Sequence, residues 1–446
     1  MKTRLLTVLL AIVVSMATQG QIVIEMPENL GAKADQESAT PPDDDPHGNL
    51  GIESSDASLD SSDTLQLATD TIPAGLPWPQ NIQERLSQLM ESRLFETSQV
   101  AVMVYDLTAD STLFARNARQ LMRPASVEKL ITAIAALDRL GGNYQLRTGL
   151  YYTGQIDGNT LNGDLYCVGG FDPAFADEDM RAFAESVRKL GIDTLRGRIV
   201  ADLSMKDDKQ FGEGWCWDDD NHTLTPLLIN KKDQFIDRFR SSLRGLGITI
   251  DGGTSLQSRA SLPNGARTLC TRFHSIDQIL LKMMKESDNL YAEALFYQLA
   301  AAAGSRPASA KHARGLIKNL IKKTGLTPGD YKIADGCGLS LYNYTSAELL
   351  CRLMRYAWRS DNLYLHLLPS LPIAGEDGTL RKRMKGTVAE GNVRAKTGTV
   401  TAISTLAGYC RASNGHQLCF AILNQGLLQE SNGRAFQDKV CTVICQ

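Results

Sequence analysis

Arg123-Pro-Ala-Ser-Val-Glu-Lys-Leu-Ile-Thr-Ala-Ile-Ala-Ala-Leu137 is the stretch around which the rest of the chain is organised. The spacing predicts a helix opening at or just after Pro124, because proline at the first helical position gives up only an N–H that has no partner there. Val127, Leu130, Ile131 and Ile134 recur at three- and four-residue intervals, and Gly141-Gly142 stops the run. Ser126 and Lys129 therefore share one helix face near its positive end. Nucleophilic catalysis needs such a pair, since a hydroxyl is inert until a neighbouring base takes its proton. A helix N-terminus also offers backbone N–H groups to a developing oxyanion. Taken alone, the pattern also describes a polar first turn with a lysine reaching solvent, so other stretches must decide.

Working outward, the chain has 446 residues, 43% of them hydrophobic and 22% charged, as in an ordinary globular protein of two to three domains. A net charge of −3 gives no footprint for nucleic acid. Lys2 and Arg4, the apolar run Leu5 to Val14 and the small-residue site Ser15-Met16-Ala17 read as a signal peptide over residues 1–20. The apolar run is too short for a full membrane span, so membrane contact is expected to be peripheral at most, with an uncleaved N-terminal anchor left open. Residues 21–75 are polar and acidic and are expected to form a disordered linker. Nine cysteines are too sparse for a disulfide scaffold, and their odd number leaves at least one thiol without an intrachain partner. Cys410 and Cys419 flank Asn414-Gly415 and are expected to face each other across a hairpin. There is no Cys-x-x-Cys or His-Glu-x-x-His, and the six histidines stand singly, so neither a metal nor another cofactor is expected.

Beyond Pro77 the pattern predicts a helix over 82–94, strands over 100–107 and 112–115, and then the Ser126 helix. The middle is strand-rich, with Asp157-Gly158 as a turn and an aromatic, acidic cluster at Gly214-Trp-Cys-Trp-Asp-Asp-Asp-Asn221. Helical patterns return from Ile276 to Ala303 and from Ala310 to Lys323. Strands follow over 393–423, then a closing helix from about Arg434. The outcome is an α+β protein in which residues 76–142 and 271–446 form one discontinuous domain. Residues 143–270 are a β-rich insertion, expected to be two small domains.

Three short motifs carry the chemistry: Ser126-Val-Glu-Lys129, Ser287-Asp288-Asn289 and Lys396-Thr397-Gly398. Each has a second copy, at Ser186-Val-Arg-Lys189, Ser360-Asp361-Asn362 and Lys323-Thr324-Gly325. Order and context separate the two sets. Ser186 falls inside a predicted helix, where its N–H is already bonded. Lys323-Thr324-Gly325 reads as a helix end. Lys396-Thr397-Gly398 opens a strand in which glycine permits close backbone approach to a ligand. In the order S-x-x-K, S-x-N, K-T-G the first set matches the signature of penicillin-binding proteins and serine β-lactamases.

The likeness extends further. Asp335-Gly-Cys-Gly-Leu-Ser340 with Asn343, Leu371-Pro-Ile-Ala-Gly-Glu-Asp-Gly-Thr-Leu380 and Gly391-Asn-Val-Arg-Ala-Lys-Thr-Gly-Thr399 resemble segments of one group. So do Arg123-Pro-Ala-Ser126 and Ser287-Asp-Asn-Leu-Tyr-Ala-Glu293. The group is the class C low-molecular-mass penicillin-binding proteins, D-alanyl-D-alanine carboxypeptidase/endopeptidases of the DacB type (peptidase family S13). The resemblance implies a penicillin-binding/β-lactamase-like core, an antiparallel sheet of five strands flanked by helices, interrupted between the first two motifs.

It also implies Ser126 as nucleophile, Lys129 as its base and Ser287 as a proton relay. Asn289 would hold a substrate amide, and Lys396, Thr397 and Gly398 a carboxylate. The N–H groups of Ser126 and Thr399 would form the oxyanion hole. Asp219 resembles the acid that reaches a diaminopimelate end, although a solvated loop acid reads the same way. Cys337 stands where the family usually has Ser, and Leu341 where some relatives carry a substrate-contacting Arg. The implied activity is periplasmic trimming of peptidoglycan stem peptides, with β-lactams as covalent inhibitors. A β-lactamase-like hydrolase and a non-catalytic wall-binding protein remain the alternatives.

Overall fold

The computed structural model describes residues 75–219, 221–257 and 262–446. The signal segment, and the acidic linker as far as residue 74, lie outside them. Chain order begins with α1 (Gln80–Met90), β1 (Gln99–Asp106), β2 (Ser111–Arg116) and α2 (Glu128–Leu140). The middle contributes β3 (Gln145–Tyr152), β4 (Leu165–Val168), α3 (Asp177–Arg188), β5 (Ile199–Asp202), α4 (Phe235–Gly245), β6 (Thr254–Gln257) and β7 (Arg267–Ser275). Then come α5 (Ile276–Lys285), α6 (Asn289–Ala302), α7 (Ala310–Lys323), α8 (Ala347–Trp358) and α9 (Asp361–Ser370). The chain closes with β8 (Arg394–Val400), β9 (Ile403–Arg411), β10 (Gln417–Gln425) and α10 (Glu430–Ile444).

Strands from the two ends of the chain make one antiparallel sheet in the order β8-β9-β10-β1-β2. Its central strands are buried at nearly every position, on both faces, because helices cover both sides of the sheet. Val100, Val102, Val104, Phe420 and Ile422 pack with Ile82 and Leu86 of α1 and Phe436 and Val440 of α10. Ala101, Met103, Ala421 and Leu423 point the other way, into the larger core built on α2, α5, α6 and α8. Helix α6 is apolar on nearly every side, from Leu290 to Ala300, as a helix wrapped by neighbours must be. Nothing in the described part is a helix long and apolar enough to cross a membrane.

Between α2 and α5 the chain builds two further sheets. One has the order β6-β5-β4-β3-β7 and mixes parallel and antiparallel pairs. The other is a small four-stranded sheet of residues 155–157, 160–162, 194–196 and 249–250. Strand β7 pairs with β3 as far as Ser275, so this sheet continues to the threshold of α5.

The cysteine expectation is corrected. The β9–β10 register sets Cys410 opposite Leu418 and Cys419 opposite Tyr409. A one-residue offset in a strand reverses the face. Cys410 accordingly packs in the core with α1 and α10, and Cys419 in the other core, against the Cys351 carbonyl. All nine cysteines are free thiols.

Candidate active site

The chain enters the site through a tight turn. Pro124 leads into a 3-10 turn over Ala125–Val127 that runs directly into α2. Ala125 sits at φ 48°, a left-handed conformation that a residue with a side chain adopts only under constraint from its surroundings. The expected opening of the helix at Pro124 is thus split into a 3-10 turn carrying Ser126 and an α-helix carrying Lys129. Lys129 is fully buried, and its Nζ donates to Ser126 Oγ at 2.8 Å, Asn289 Oδ1 at 2.7 Å and the Cys337 carbonyl at 2.8 Å. Burial pulls this ammonium below the ordinary lysine range, while the surrounding Cys337, Asp335, Glu293 and Asp288 pull the other way.

The second motif lies between α5 and α6. Ser287 is also left-handed, at φ 61°. Asp288 caps α6, its Oδ1 accepting from Tyr291 N at 3.2 Å, and Asn289 is the first residue of that helix. The third motif lies on β8. Lys396 is fully buried, and its Nζ donates to Ser287 Oγ at 2.8 Å and to the Thr397 carbonyl at 2.7 Å. Burial, with Lys129 nearby, holds Lys396 well below the usual lysine range. Thr397 Oγ1 bonds Thr379 Oγ1 at 2.8 Å, and Thr399 is exposed at the outer end of the strand.

Gly398 explains why the strand can lie so close to the serine turn. A Cβ there would fall 2.2 Å from Thr405 Oγ1, 2.8 Å from Ser126 N and 2.9 Å from the Pro124 carbonyl. Only glycine permits that approach. Thr405 Oγ1 locks the arrangement by donating to the same Pro124 carbonyl at 2.8 Å.

Beneath the lysine lies an acid cluster that sequence patterning did not reveal. Asp335 accepts Trp215 Nε1 at 2.8 Å, Gly338 N at 2.9 Å, Ser340 N at 2.7 Å and Asn343 Nδ2 at 2.7 Å. Four donors on two oxygens is the bonding pattern of a carboxylate. Glu293 accepts Gly336 N at 2.8 Å, and burial pushes its carboxyl up to about 8. Glu128 is fully buried with neither oxygen hydrogen-bonded, and burial raises its carboxyl far above the usual range. Glu293, Asp335 and Cys337 bring three potential ligand atoms within 4.8 Å of one another. The N–H donors already fill the Asp335 oxygens, which makes this a hydrogen-bonded acid cluster and a poor cation cage. Cys337 is buried, its Sγ lies 3.5 Å from Asp335 Oδ2, and burial raises its thiol well above the ordinary range.

The Trp-rich loop docks on this cluster through Trp215 and through the bond from Leu341 N to the Gly214 carbonyl at 3.4 Å. Asp219 accepts Cys216 N at 2.7 Å within its own loop. The three motifs therefore converge on one site, and Asp219 stands in the loop beside it. The duplicate motifs serve structure. Ser186 Oγ bonds the Phe183 carbonyl at 2.7 Å, Ser360 precedes α9, and Lys323 pairs with Asp138 at 2.6 Å.

An antiparallel sheet with helices on both faces, carrying a buried lysine against a serine on a helix-opening turn, defines the penicillin-binding class of fold. Of solved structures, penicillin-binding protein 4 (dacB) of Haemophilus influenzae is similar to it, with a TM-score of 0.71 and 23% identity over 81% of this chain and 98% of that one. The sequence model of the D-Ala-D-Ala carboxypeptidase 3 (S13) family matches residues 81–227 and 227–445, and the chain belongs to that family of serine-type DD-carboxypeptidases. Among characterised relatives, the D-alanyl-D-alanine carboxypeptidase DacB of H. influenzae is 25% identical over 417 residues, 74% of this chain and 86% of that protein. The D-alanyl-D-alanine carboxypeptidase of Actinomadura sp. is 26% identical over 443 residues, 77% of this chain and 81% of that protein.

Proposed function

We propose that the chain removes the terminal residue from D-Ala-D-Ala stem peptides of peptidoglycan through an ester on Ser126. The observation that carries the reading is the buried Lys129 Nζ, 2.8 Å from Ser126 Oγ. On losing a proton Lys129 gives up its donation to Ser126 Oγ and, as the neutral amine, takes the Ser126 proton while Oγ attacks the carbonyl between the two D-Ala residues. The N–H groups of Ser126 and Thr399 stabilise the resulting oxyanion; loss of one such donor costs about 2.7–4 kcal/mol in comparable sites. The proton returns to the leaving amine through Ser287, which Lys396 holds. Water then attacks the ester, restoring Ser126 and releasing the shortened peptide.

Lys396, Thr397 and the backbone at Gly398 receive the terminal carboxylate, and Asn289 a peptide amide. Cleavage of a D-Ala cross-link is the same reaction with a different leaving amine, so endopeptidase activity belongs to the same site. We assign Asp219 the cationic end of the stem peptide; its loop docks on the Asp335 cluster through Trp215, which supports the reading. β-Lactams would acylate Ser126 because their strained amide mimics the scissile bond. Such a substrate lies outside the cytoplasm, in keeping with export to the periplasm. The separate sheets support a division into a catalytic part and an inserted part, but β7 carries the inserted sheet to Ser275, so the boundary expected at 270 falls after 275. Hydrolysis of a D-Ala-D-Ala peptide by the wild type and its loss in Ser126→Ala tests the assignment; equal activity in both would overturn it.

A further inference from the structure

The inserted part of the chain reaches into the second motif at one point. Lys231 Nζ lies 3.0 Å from Asp288 Oδ2. Asp288 is the middle residue of Ser287-Asp288-Asn289, and its carboxylate faces two ways. Oδ1 caps α6 through Tyr291 N, and Oδ2 is held by Lys231. The residues on either side are the ones that meet the two buried lysines, Ser287 taking Lys396 and Asn289 taking Lys129.

Backbone conformation marks both partners. Ser287 sits at φ 61°, and Asn230 and Lys231 follow one another at φ 49° and 64°. Left-handed residues with side chains are strained and persist where the surroundings over-determine them. The Lys231 turn is held in that way. Ile229 and Lys232 exchange backbone hydrogen bonds at 3.0 and 2.9 Å, Asn230 N donates to the Phe175 carbonyl at 3.0 Å, and Asn230 Nδ2 donates to Asp177 Oδ2 at 2.9 Å. The turn thus presents Lys231 from a rigid base. The Lys231 side chain is 36% exposed and Asp288 only 7%, so charge attraction is partly screened and position is what the contact supplies.

We infer that Lys231 is a positioning residue of the acyl-transfer site, fixing Asp288 so that Ser287 and Asn289 stand against the two lysines. This rests on the reading of Ser126 as the acylated serine and adds a task for the inserted region, which completes the second motif from outside. A displacement of about 1 Å at a catalytic group can cost about 10²-fold in rate.

The test is the rate of acylation by benzylpenicillin, with the melting temperature measured alongside, for wild type, Lys231→Met and Lys231→Arg. The expected result is a fall of about ten-fold or more in the limiting acylation rate of Lys231→Met. The apparent affinity of the preceding complex and the melting temperature stay close to wild type. Lys231→Arg recovers most of the rate, because it retains a donor for Asp288. A wild-type rate in Lys231→Met overturns the inference. So does a loss that follows the melting temperature and is not recovered by arginine, which assigns Lys231 a purely structural role. A wild type that takes up no penicillin on Ser126 refutes the underlying reading instead, and is seen before any Lys231 variant is compared.

Discussion

Lys396 Nζ donates to Ser287 Oγ across 2.8 Å, joining the third motif to the second through a contact between two side chains 109 residues apart in the chain. In the proposed reaction that hydroxyl carries the proton to the leaving amine. Ser287→Ala should therefore lower kcat on a D-Ala-D-Ala peptide by about 10²-fold or more, with a smaller change in KM. Lys396→Met should also raise KM, since it removes a donor proposed for the substrate carboxylate. Steady-state kinetics on the two variants separates these effects.

Gly398 allows β8 to lie against the serine turn. Gly398→Ala places a methyl 2.8 Å from Ser126 N and 2.2 Å from Thr405 Oγ1, and must push strand and turn apart. The oxyanion donors then lose their geometry. Acylation by a β-lactam is expected to drop by about 10²- to 10³-fold, while circular dichroism shows the fold retained. A variant that acylates at the wild-type rate would remove Gly398 from the account.

Burial lowers the Lys129 ammonium below the ordinary lysine value of 10.5. Its base form grows as pH rises through that lowered value. The second-order rate of penicillin acylation should therefore climb with pH and level off below the range of a free lysine. The rate is measured from acid to alkaline pH; a rise that continues past pH 10.5 contradicts a depressed Lys129.

Glu293 titrates in the opposite sense. Its folded carboxyl is raised to about 8 from an ordinary 4.5, so the folded state keeps a proton that the unfolded chain has lost. Stability should fall as pH rises from about 4.5 toward about 8, by about 3 kcal/mol at pH 7. Glu293→Gln imitates the protonated acid. It should raise the urea midpoint at pH 7 and change it little at pH 4.5. An equal change at both pH values would show that Glu293 is ionised in the folded protein.

Cys337 has no solvent exposure and its thiol is raised well above the ordinary range. The native protein should leave it unlabelled by iodoacetamide. Cys337→Ser should retain activity within a few-fold, because Lys129 uses the backbone carbonyl of this residue and not its sulfur.

The core of this site was legible because its chemistry depends on short spacings. Ser126 and Lys129 meet because a helical turn brings i and i+3 together, and glycine in Lys396-Thr397-Gly398 anticipated a close backbone approach. The sheet strands at both ends and α7 were likewise legible from periodicity. Helix α4 was readable in principle, from Phe235, Phe239 and Leu243 at four-residue spacing, but was hidden in a region read as strand-rich.

Other features depend on tertiary packing and leave no local trace. Nothing in the spacing around Lys129 marks Glu128 as buried, yet it is fully buried, and a Cβ on Gly338 would fall 2.9 Å from its own. The Trp215–Asp335 and Lys231–Asp288 contacts join residues far apart in the chain. The Cys410 and Cys419 faces were decided by a register that a turn sequence alone did not define.

In the proposed reaction Ser126 is the acylated residue. Intact mass after mixing wild type and Ser126→Ala with benzylpenicillin tests it most directly. A single stable adduct of the drug's mass is expected on the wild type, mapped to the peptide containing Ser126, and none on the variant. An adduct of equal yield on Ser126→Ala, or no adduct on a folded wild type with the drug left intact, would contradict it.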